Sequence, residues 1–65
     1  MKYYVRIDNI KMKDYASLND AILTCRTLED INDSITYKNL TIEREDGIIY
    51  SMNEYGNFTF ERKDD

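Results

Sequence analysis

Histidine, proline and tryptophan are absent from this sequence, cysteine occurs once and glycine twice. Without histidine the chain lacks the commonest general base near neutral pH and the commonest metal ligand. The lone Cys25 excludes an intrachain disulfide framework and suits a reducing setting. There is no apolar run long enough to cross a bilayer and no signal-peptide pattern at the N-terminus, so the expected location is cytoplasmic. The lack of proline and the near-lack of glycine argue against a disordered chain. No Walker loop, GxGxxG, CxxC or HExxH occurs, and no acidic run has the spacing of a calcium loop. Cys25 has no base beside it in sequence and sits amid apolar residues, as a buried structural thiol does. No catalytic residue, metal ligand or cofactor is expected.

Sixty-five residues form one small domain with a single core, whose net stability is a few kcal/mol at most. Thirteen acids against nine bases leave a net charge of −4, which repels phosphates at long range and disfavours direct nucleic-acid binding. Isoleucine, asparagine, lysine and tyrosine are abundant while alanine is scarce, the bias of AT-rich coding in low-GC bacteria and their phages.

Both glycines end three-residue turns, Glu45-Asp46-Gly47 and Glu54-Tyr55-Gly56, between alternating apolar residues. A three-residue hairpin loop closes on a left-handed residue, which glycine adopts at no steric cost. With these loops Ile42 faces Tyr50, Leu40 faces Met52, Met52 faces Phe58 and Tyr50 faces Phe60, all on one side of the sheet. A two-residue Asp46-Gly47 turn would pair Ile42 with Ser51 and split that apolar face.

Residues 2–8 alternate as a strand, with Tyr3, Val5 and Ile7 on one face. Residues 9–16 read as a polar connection. Ser17 followed by Asp20 marks a helix start, and Leu18, Ala21, Ile22, Cys25 and Leu28 form one stripe over a helix spanning 18–31. Strands at 35–44, 48–53 and 57–62 and a frayed tail at 63–65 complete the chain. The fold class is α+β: a β-α-β-β-β domain with one helix on one face of a sheet that contains an antiparallel three-stranded meander. A right-handed crossover would set the first strand parallel to the second if the two neighbour each other. The expected core is Tyr3, Val5, Ile7, Leu18, Ala21, Ile22, Cys25, Leu28, Leu40, Ile42, Ile48, Tyr50, Met52, Phe58 and Phe60.

Glu29, Asp30 and Asp33 gather at the C-terminal end of the helix, where acids oppose the helix dipole. That arrangement costs little and fits a negative patch kept for a partner. Glu45 and Asp46 occupy the first turn, and Glu43 lies on the outer sheet face with Tyr4, Arg6, Tyr37, Asn39, Thr41, Ile49, Ser51, Thr59 and Glu61. Tyrosine is enriched at binding hot spots, and Tyr37 and Tyr55 are the aromatic anchors expected of an interface.

The function expected is therefore that of a non-enzymatic acidic binding protein. Glu29, Asp30, Asp33, Glu43, Glu45, Asp46, Tyr37 and Tyr55 are its expected binding residues, and the partner is a protein with a basic surface, such as a host nuclease or nucleic-acid-processing complex. A short acidic chain of AT-rich composition fits a phage or mobile-element inhibitor of host defence, of the anti-CRISPR type. Two alternatives are a homodimer that sequesters a nucleotide-like ligand between subunits, using Arg6, Lys38 and the tyrosines, and an accessory subunit of an assembly.

Overall fold

The computed structural model describes residues 1–61, the last of these by its backbone alone. The expected tail, and the last residue of the expected final strand, lie outside that range. Strands β1 (Tyr3–Ile7) and β2 (Ile10–Tyr15) are followed by helix α1 (Leu18–Ile31) and strands β3 (Leu40–Arg44), β4 (Ile49–Met52) and β5 (Phe58–Glu61). The five strands make one sheet in the order β2-β1-β3-β4-β5, and every neighbouring pair is antiparallel.

Two expectations are corrected here. The stretch after β1 is a strand: Asp8 and Asn9 take φ of 52° and 67°, the left-handed pair that a two-residue type I′ hairpin requires. Aspartate and asparagine tolerate that region better than other side chains. With two loop residues Ile7 pairs with Ile10, and a bulge at Val5/Arg6 absorbs one residue before Tyr3 meets Tyr15. The element order is thus β-β-α-β-β-β. Because β2 reverses the chain before the helix, β3 returns beside β1 antiparallel, pairing Val5 with Ile42, and no parallel crossover forms. The expected strand 35–44 is also shortened, since residues 36–39 form a turn closed by Asn39 N donating to Thr36 O at 3.0 Å.

The two glycine turns have the expected three-residue form. Arg44 N donates to Ile48 O (2.7 Å) and Gly47 N to Arg44 O (2.8 Å), with Gly47 at φ 99°. Asn53 N donates to Asn57 O (2.8 Å) and Gly56 N to Asn53 O (3.0 Å), with Gly56 at φ 82°. Ile42 pairs with Tyr50, Tyr50 with Phe60 and Met52 with Phe58.

Ser17 caps α1 as its side chain accepts from Asp20 N at 3.2 Å. The helix packs over β1, β2 and β3. Val5, Ala21, Cys25, Leu40, Ile42, Tyr50 and Met52 are buried, and Tyr3, Ile7, Leu18, Ile22, Leu28, Ile48 and Phe58 pack around them. Tyr15, Ile35 and Tyr37 join that rim. Phe60 departs from expectation: it lies on the helix side, 6.0 Å from the Tyr50 ring centre, yet it is 61% exposed. The helix stops short of β5, so correct register does not bring burial.

Candidate protein-binding surface

The β1–β2 turn, the segment between α1 and β3, and the β4–β5 turn share one end of the sheet. Asp8 N donates to Asn39 O (3.0 Å), and Asn39 Nδ2 donates to the Asp8 carboxylate (2.7 Å). Ile7 pairs with Leu40 on the adjoining strand, and Thr41 with Ser51 on the next. Starting beside the end of β2, α1 rises about 21 Å over its 14 residues, enough to span strands of this length. Its C-terminus therefore reaches the same end, and Arg26 Nη2 donates to Gly56 O of the β4–β5 turn at 3.1 Å.

This pole carries Asp8, Glu29, Asp30, Asp33 and Glu54, and among the described residues none of the five forms an ion pair. Among the described residues, Arg26, bound to the Gly56 carbonyl, and Lys38, over the Tyr37 ring at 5.9 Å, are the cations that accompany them. The last turn of α1 has no basic residue, so the negative end of the helix dipole adds to the carboxylates. Ile31 and Tyr55 stand 75% and 81% exposed at the same pole, with Ile10 exposed at the start of β2.

Three of the other expected binding residues, Glu43, Glu45 and Asp46, are placed elsewhere. Glu43 is on the outer sheet face, 3.9 Å from Arg6 Nη1 and 3.5 Å from Lys11 Nζ, while Arg6 Nε donates to Thr41 Oγ1 at 3.1 Å. Lys11 also sits 4.6 Å from the Tyr4 ring centre. Glu45 lies at the opposite end of the sheet, where its Oε1 accepts from Lys2 N at 2.9 Å. Asp46 is gripped by the Arg44 guanidinium, Nε to Oδ1 at 2.8 Å and Nη2 to Oδ2. That hydrogen-bonded fork holds the Asp46 carboxyl below its ordinary range and pushes Arg44 up. Tyr37 is not on the outer sheet face: its segment is a turn, and its ring is half-buried against the core. Arg6 and Lys38, the cations of the sequestering alternative, lie on different structural elements, a strand and a turn.

The eight expected residues thus separate. Glu29, Asp30, Asp33 and Tyr55 come together at one pole, Tyr37 lies in the α1–β3 turn of that pole with its ring half-buried against the core, and Glu43, Glu45 and Asp46 are engaged elsewhere by Arg6 and Lys11, by the Lys2 backbone and by Arg44. Asp8 and Glu54 are pole residues that sequence reasoning missed. Glu54 was visible as a turn residue, whereas Asp8 required the β1–β2 hairpin to be recognised.

Among the described residues no group of three histidine, cysteine, aspartate or glutamate side chains is placed to hold a metal ion. No described helix is long and apolar enough to cross a membrane. Burial pushes the Cys25 thiol from 9.0 up to about 11, away from the nucleophilic thiolate form. The chain matches no known family, no curated protein and no solved structure.

Proposed function

We propose that this protein is a non-enzymatic binding domain whose acidic pole docks on the basic surface of a partner protein. The observation that carries the reading is the segregation of charge. Ten carboxylate side chains are described; three are ion-paired, and of the seven that are not, five lie at the pole with the helix C-terminus. Unpaired like charges repel one another and contribute nothing to stability, so their concentration at one end supports a role in association. Ile31 and Tyr55 supply apolar contact area among them, as interface anchors do.

A basic groove that normally holds nucleic acid is the partner surface this charge pattern fits. Occupying it would exclude the nucleic acid and inhibit the partner, the mode of action of a phage-borne anti-defence protein. The absence of histidine and the inert Cys25 support a role without catalysis.

The test is capture of partners from the native host, followed by titration of the purified pair. The triple variant E29K/D30K/D33K should abolish binding, E45K at the opposite end should leave it intact, and wild-type affinity should fall steeply between low and high salt. Equal binding by the triple variant and wild type would overturn the reading.

A further inference from the structure

The Glu45-Asp46-Gly47 turn is the motif that the acidic pole does not use, and it contains the one Asp-Gly step in a sequence that has no Asn-Gly. At such a step the backbone nitrogen after the aspartate can attack the side-chain Cγ, because glycine has no Cβ to hinder it. A C–N bond forms, the carboxyl oxygen leaves as water, and a five-membered succinimide results. Water then reopens the ring at either carbonyl, giving aspartate or isoaspartate. Composition is unchanged and no oxidant or reductant takes part.

We infer that Asp46–Gly47 is a built-in isomerisation site whose rate is governed by Arg44. One residue restrains both reacting groups. The Arg44 carbonyl accepts the Gly47 N–H at 2.8 Å, which engages the nucleophile, and the Arg44 guanidinium binds both oxygens of the Asp46 carboxylate. Ile48 N adds a third contact to Asp46 Oδ1 at 3.3 Å. Water leaves from the protonated carboxyl, and the guanidinium holds Asp46 in the ionised form. The site is otherwise open: the space a Cβ of Gly47 would take has nothing within 4 Å. Isoaspartate would add a methylene to the backbone of a three-residue loop, so the Arg44–Ile48 and Gly47–Arg44 bonds could not both re-form. The consequence is loss of the β3–β4 hairpin register.

Three samples incubated near neutral pH test this independently of any partner: native wild type, wild type unfolded in guanidinium, and R44Q checked for fold by circular dichroism. Isoaspartate is quantified by enzymatic methylation and located by electron-transfer fragmentation. The unfolded chain should isomerise several-fold faster than the native one, and folded R44Q should move towards the unfolded rate, with the product at residue 46. Should R44Q fail to fold, R44K, which keeps the charge and loses the fork, takes its place and should also accelerate. Native protein ageing at the unfolded rate, a folded Arg44 variant ageing at the native rate, or isoaspartate appearing at Asp33 ahead of Asp46 would overturn the inference.

Discussion

Arg26 on α1 donates from Nη2 to the carbonyl oxygen of Gly56 at 3.1 Å, linking the helix to a turn thirty residues away. The helix body packs over β1, β2 and β3, so this bond is a bridge from α1 to the β4–β5 half of the sheet. It also shapes the acidic pole, since it places Tyr55 and Glu54 beside the helix C-terminus.

R26A should loosen that hairpin locally. The bond is solvent-exposed, and a typical net hydrogen bond is worth about 1 kcal/mol. A shift of a few degrees at most in Tm is expected, with faster amide exchange confined to β5 and the end of β4. Uniform acceleration across the sheet would show that the bridge is a global support instead.

The core sits close to its stability limit. Leu40 and Ile42 are fully buried, and Leu→Ala at such a site costs about 2–5 kcal/mol, comparable to the whole stability of a domain this size. L40A should be largely unfolded at room temperature by circular dichroism, while I42V should cost about 1 kcal/mol and remain folded.

Phe60 supplies the contrast. It is apolar and in register with Tyr50, but 61% exposed, so F60S should cost well under the loss seen at Leu40. A cooperative denaturant transition for F60S, with a midpoint near that of the wild type where L40A has lost its folded baseline, checks this.

Gly47 and Gly56 hold positive φ with open space around them, so a methyl group meets no neighbour. G47A and G56A should each cost about 1–2 kcal/mol through backbone strain alone. A D-alanine at either position, introduced by synthesis, should restore stability.

Two groups give stability a defined pH dependence. Asp46 titrates lower folded than unfolded, so its contribution is present above the unfolded value and is lost as pH falls through the folded one. D46N should therefore flatten part of the acid limb. Cys25 is raised from 9.0 to about 11, so its contribution is complete below pH 9.0 and declines as pH rises towards 11. C25A should lose that alkaline dependence while costing some packing, as urea midpoints across this range would reveal.

The hairpin half of the chain was legible because glycine is a conformational marker and alternation carries register. Ser17 and the Leu18–Leu28 stripe exposed the helix in the same local way. The β1–β2 hairpin was concealed because its turn uses Asp8 and Asn9, which serve equally well in loops, and because an edge strand exposed along most of its length has no apolar face to declare it. Of the candidate site, the helix-end acids and Tyr55 could be read from spacing. The pairing of Glu43 with Arg6 and Lys11, and the packing of Tyr37 against the core, could not.

Local chemistry in the sequence determined the turns, their register, the helix cap and nearly all of the core, since each depends on residues within a few positions of one another. Tertiary structure decided which strands neighbour across the chain, how far the helix covers the sheet, and which carboxylates find a cation. Those outcomes depend on where whole elements are packed, and the extra β2 strand changed that packing by reversing the chain before the helix. The same reversal brought Asp8 to the helix C-terminus, and so completed a charged pole that no single stretch of sequence contains.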